Sequence, residues 1–171
     1  MSALYYCRQT TTACKGLPYP SKTHPYRYGT SGCVYTSGCG VCASLMALRN
    51  STTRVFNTRQ WTHHCLGMGA RAAEGTDMAV VARYMKEKYG LDYAITTDMD
   101  RLVAHLKQGY KAIINVSGGG KMLFSNSGHY VLAAGIDKNG NLIILDPYWY
   151  DGKFTLTAAR RKYTRVKNGR E

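Results

Sequence analysis

The texture of polar and apolar positions changes twice along the chain. Residues 1–38 are rich in Tyr, Thr, Pro, Gly and Ser and carry no sustained helical period. They predict an irregular arm over 1–30, with one short strand at Leu4–Gln9. From Cys39 to Arg49 the run Cys-Gly-Val-Cys-Ala-Ser-Leu-Met-Ala-Leu-Arg places strong helix formers on an apolar face, so a helix starts at Cys39. Further helices are predicted over Thr58–Leu66 with Asn57 or Thr58 as cap, and over Asp77–Tyr89 with Thr76 as cap and Gly90 at its end. Another spans Met99–Gln108, capped by Asp98 and closed by Gly109. The pattern then turns β-rich at Lys111–Ser117, His129–Ile136 and Asn141–Asp146, the last two joined across Asp137-Lys138-Asn139-Gly140. Helices first and an antiparallel sheet afterwards predict an α+β fold, read as a single domain over 1–171 with a basic tail at 160–171.

Charge narrows the partners. The chain carries 23 Lys and Arg against 10 Asp and Glu, a net charge of +13. That balance favours an anionic polymer, either a wall polymer or a nucleic acid. No apolar run approaches the roughly 20 residues of a membrane helix, so no membrane span is expected. The start Met-Ser-Ala-Leu-Tyr-Tyr-Cys-Arg lacks the pattern of a secretory signal. The expectation is a chain that is cytoplasmic as synthesised, with later release to a cell wall as one route to a substrate. Its six cysteines are then expected to be mainly reduced.

Three stretches carry candidate chemistry: Ser37-Gly38-Cys39-Gly40, Gly128-His129-Tyr130 and Leu145-Asp146-Pro147. A cysteine in the first turn of a helix faces unpaired N–H groups and the positive end of the helix dipole, and both favour thiolate over thiol. Gly38 and Gly40 are expected to let backbone and substrate approach closely. A nearby imidazole would complete an activated nucleophile, and the Cys39 N–H could hold a developing oxyanion. A hairpin centred between residues 137 and 138 sets His129 directly opposite Asp146. A strict two-residue Asn139-Gly140 turn pairs His129 with Tyr150 instead, so the His129–Asp146 pair requires a longer loop or a bulge around Asp137–Gly140. The glycine-rich loop 118–128 is expected to wall one side of the cleft.

These motifs, with Gly-His-Tyr-Val-Leu-Ala-Ala-Gly and Gly-Asn-Leu-Ile-Ile-Leu-Asp-Pro, resemble papain-like cysteine peptidases over residues 30–150. The chain is most similar to the bacterial branch related to bacteriocin-leader-processing (double-glycine) peptidases. Leu106-Lys107-Gln108-Gly109-Tyr110-Lys111-Ala112-Ile113 looks like that branch's lead-in to the histidine. The resemblance implies Cys39 as nucleophile, His129 as base and Asp146 as its orienting group, with no cofactor and no metal. It also implies an upstream glutamine as second oxyanion donor. Many relatives place it six residues before the cysteine, where this chain has Cys33; Gln9, the only glutamine upstream of Cys39, is the assignment. Tyr148 or Trp149 is the candidate aromatic cover for the orienting residue.

The implied reaction is cleavage of a peptide or amide bond in a peptide, protein or peptidoglycan substrate. A phage or bacterial wall enzyme fits the charge, and an intracellular or mobile-element protease is the alternative, as is an inactive binding or inhibitor module. Rival chemistries have their own residues. Cys39-Gly40-Val41-Cys42 is a Cys-x-x-Cys at a helix start, but no βαβ unit frames it. Cys33, Cys39, Cys42, His63, His64 and Cys65 could supply zinc ligands, although His64 and Cys65 are adjacent. A nucleic-acid binder would fit the charge and the 14 tyrosines, without any recognised binding motif.

Overall fold

A computed structural model describes residues 4–116 and 128–148. Two four-residue helices, α1 (Thr12–Lys15) and α2 (Val34–Ser37), precede the long helix α3 (Cys39–Ser51). Then come α4 (Thr58–Gly67), the small hairpin β1 (Arg71–Ala72) and β2 (Gly75–Thr76), α5 (Met78–Tyr89) and α6 (Met99–Lys107). Strands β3 (Ala112–Val116), β4 (His129–Ile136) and β5 (Leu142–Leu145) form an antiparallel sheet with β4 in the middle. The fold is α+β, as the pattern predicts.

Helix α3 is the axis of the molecule. Every residue from Gly40 to Leu48 is buried, so the helix is enclosed on all sides rather than along one stripe. Around it lie Trp61 and Cys65 of α4, Val81 and Met85 of α5, and Leu132, Ala134 and Leu145 of the sheet. The alternating strand positions Val131, Ala133, Leu142 and Ile144 pack in a second cluster with Leu106 of α6. The sheet is thus covered on both faces, by α3 and by α6.

Among the described residues the N-terminal arm pairs with no strand. Instead it is extended and runs antiparallel to α3. Tyr5 exchanges hydrogen bonds with the Asn50 side chain at 2.9 and 3.0 Å, and the Arg49 guanidinium stacks 3.8 Å from the Tyr5 ring. At the other end Gln9 N–H donates to the Pro147 carbonyl at 2.9 Å. The arm therefore carries residue 9 to the end of α3 where Cys39 lies.

Helix caps follow the predicted pattern with one exchange. Asn57 forms a capping box with Gln60, Asp98 caps α6, and Gly90 ends α5 with φ +69°. For α5 the cap is Asp77, not Thr76. Thr76 is buried, and its hydroxyl is committed to the Tyr19 hydroxyl at 2.7 Å. The loop 117–127, Trp149 and the basic tail lie outside the described residues.

Candidate active site

Gly38 joins α2 to α3, and a side chain there would collide with α2: an added Cβ would lie 2.4 Å from Val34 Cγ1 and 2.5 Å from the Val34 carbonyl oxygen. At Gly40 it would lie 2.5 Å from Thr76 Cβ. Both glycines thus admit close packing by the protein's own chain, the first half of the close approach expected of them. They fix Cys39 at the first position of α3, where no side chain caps the first turn. A residue at that position stands at the positive end of the helix dipole, beside the first turn's backbone N–H groups. Cys39 is half-buried, whereas the other five cysteines are buried, and all six are free thiols.

The β4–β5 register decides what meets His129. Asp137 N–H donates to the Asn141 carbonyl, so the loop is the three residues 138–140, with Gly140 at φ +78°. Asp137 Oδ1 holds it by accepting from the Asn139 and Asn141 amides, each at 2.9 Å. A bulge between Ala133 and Gly135 shifts the pairing once more, giving Leu132 opposite Leu145. Continued past the strand, this register sets Val131 opposite Asp146 and His129 opposite Tyr148. The pair is therefore diagonal, not directly opposed as expected, and diagonal neighbours remain within reach of long side chains. The expected longer loop is present, while the bulge lies inside β4 rather than in the turn.

His129 Nε2 and Asp146 Oδ1 are 2.7 Å apart, with His129 5% exposed and Asp146 fully enclosed. Asp146 Oδ1 also accepts from the Tyr148 amide at 2.9 Å, and its backbone carbonyl accepts the Tyr6 hydroxyl. The Tyr148 ring meets the imidazole edge-on at 6.0 Å between centroids. The Cys39 side chain is also among the groups that raise the His129 imidazole pKa. With Nε2 committed to Asp146, Nδ1 is the nitrogen left for the sulfur. Burial alone pushes the imidazole pKa down, but the hydrogen bond to Asp146 and the electrostatic influence of Asp146 and Cys39 outweigh it, raising the value to about 9. The ring is an imidazolium at neutral pH.

Gln9 is 1% exposed and sits beside α2. Its Nε2 donates to the Tyr35 carbonyl at 3.1 Å and approaches the Val34 carbonyl at 3.5 Å. Its Oε1 has no hydrogen-bond partner among the described residues. Gln9 is thus bracketed by the helix that leads into Cys39 and the segment that follows Asp146. Tyr6, three residues upstream on the same arm, escaped sequence reasoning; its spacing from Gln9 was the available signal.

The rival ligand sets are dispersed. Cys42 is fully buried, and Cys7, whose sulfur meets the Thr58 hydroxyl at 3.4 Å, is buried as well. Cys33 donates to the Thr30 carbonyl, and His64 Nδ1 meets the Tyr84 hydroxyl at 2.9 Å inside an aromatic cluster with Phe56 and Trp61. Burial pushes the Cys65 thiol up to about 12. Among the described residues no three His, Cys, Asp or Glu side chains converge as a metal site.

A buried helix beginning at a cysteine, packed on an antiparallel sheet that presents a histidine and an aspartate, defines the papain-like class of cysteine peptidases. Within it, a family model matches residues 6–169, and the chain belongs to the Peptidase_C39 like family. No similar curated protein and no similar solved structure was found. No helix among the described residues is long and apolar enough to cross a membrane.

Proposed function

We propose that the chain hydrolyses a peptide or amide bond with Cys39 as nucleophile, His129 as acid and base, and Asp146 as the group that orients and charges the imidazole. The observation that carries this reading is the buried His129 imidazole bonded to Asp146 at 2.7 Å, with Cys39, at the first position of α3, among the groups that raise its pKa. The Cys39 sulfur adds to the substrate carbonyl, and the oxyanion is held at the first turn of α3, with Gln9 as second donor once its Nε2 turns from the Tyr35 carbonyl. His129 then protonates the departing amine, leaving a thioester on Cys39. Water, deprotonated by the now neutral His129, attacks the thioester and releases the acid and the free thiol.

The substrate we propose is the peptide portion of peptidoglycan, to which a net charge of +13 draws the chain through anionic wall polymers. Clearing of bacterial wall preparations, lost in Cys39→Ala, supports this substrate. No clearing, together with Cys39-dependent cleavage of a protein, would replace it with a proteolytic role.

A further inference from the structure

Sheet pairing among the described residues stops one residue short of the orienting carboxylate. The last paired residue of β5 is Leu145, opposite Leu132, so the ladder does not reach the backbone of Asp146. Pro147 follows and has no N–H with which to anchor the segment. The N-terminal arm supplies donors from outside instead. The Tyr6 hydroxyl donates to the Asp146 carbonyl, and the Gln9 N–H donates to the Pro147 carbonyl at 2.9 Å. Two consecutive carbonyls are thus held by a segment that lies 140 residues away along the chain at Tyr6. Their placement matters because His129 and Asp146 are diagonal across β4 and β5. A diagonal pair closes to 2.7 Å only when the acid's backbone is correctly set. Burial first, and then the Asp146 charge, push the Tyr6 hydroxyl pKa above its ordinary 10, so it stays a protonated donor at neutral pH.

We infer that Tyr6 is a positioning residue for the cleavage reaction: by holding the Asp146 backbone it sets the carboxylate that orients His129. Tyr6 acts through Asp146 and has no part in the proton transfers themselves. The same arm carries Gln9, so one extended segment brings both the anchor of the acid and the proposed oxyanion donor. Its other anchor is separate. The Tyr5 backbone is tied to the Asn50 side chain at 2.9 and 3.0 Å, at the end of α3 away from Cys39. The two ends can therefore be loosened one at a time, which separates positioning of the acid from general attachment of the arm. The inference rests on the peptidase reading.

The test compares Tyr6→Phe, which removes one oxygen, with Asn50→Ala, which frees the far end of the arm. Peptide cleavage and NMR titration of His129 are measured for both at a temperature where circular dichroism shows each protein fully folded. In Tyr6→Phe kcat should fall by about fivefold, the equivalent of one lost hydrogen bond, with KM unchanged. Its His129 should titrate below the wild-type value of about 9. Asn50→Ala should melt at a lower temperature yet keep both the wild-type kcat and the wild-type titration. An unmoved His129 titration in Tyr6→Phe, or the same shift in Asn50→Ala, overturns the positioning role and leaves the peptidase intact. Absence of cleavage by the wild type, with a titration shift confined to Tyr6→Phe, overturns the peptidase reading and keeps Tyr6 as the residue that sets the Asp146–His129 pair.

Discussion

Replacing Asp146 by asparagine removes the charge beneath His129 while keeping an acceptor for Nε2. The rise of the imidazole from its ordinary 6.5 to about 9 corresponds to about 3 kcal/mol in favour of the imidazolium. It is reached against burial, which by itself lowers the value. Without the Asp146 charge, burial is opposed mainly by Cys39, and the pKa should fall by about one unit or more. NMR titration of the imidazole reads this directly. The sign extends to stability. Because the folded value lies above 6.5, the contribution is complete below pH 6.5 and is lost as the pH climbs through 9. The stability difference between wild type and His129→Gln should shrink by about 3 kcal/mol across that window. A wild-type His129 titrating near 6.5, or one that Asp146→Asn does not move, would refute the reasoning.

Gly40→Ala drives a methyl group into Thr76, whose hydroxyl is held by Tyr19; it should cost about 1–3 kcal/mol in denaturant unfolding, and an unchanged midpoint would contradict the packing described. Cys42→Ser buries a hydroxyl in place of a fully enclosed thiol and should cost about 1–3 kcal/mol. Its kcat should stay unchanged, whereas abolished activity in a folded variant would revive the redox reading. Gln9→Ala should lower kcat by about 10²–10³ with KM little altered, and a kcat within about threefold of wild type would remove Gln9 from the oxyanion site.

Helix limits were legible because their end residues act locally. Asn57, Asp98 and Gly90 each satisfy or close the backbone of their own helix, and spacing alone reveals such contacts. Thr76 was misread because its hydroxyl serves Tyr19, 57 residues away, which no local pattern reports. The same is true of Gly40. The close approach expected at Gly40 is present, but its partner is Thr76 of β2, 36 residues on, which no local pattern names. The strand pairing fell between two simple turns because a three-residue loop and a bulge each shift the register once. The arm had the right extended form at Leu4–Gln9, but its anchors are Asn50 and Pro147, at the far ends of α3 and beyond β5. Helices α1 and α2 are too short to leave a periodic signature.

The account turns on one sulfur activated by one imidazole. Mass-spectrometric mapping after brief treatment with a thiol-reactive amide-hydrolase probe at neutral pH tests it most directly. Exposure alone would favour Cys39, since the other five cysteines are buried, so the rate in His129→Ala is the deciding comparison. The account predicts a single adduct on Cys39, formed much more slowly in that variant. Equal labelling rates in the two proteins, or an adduct on another cysteine first, would contradict it.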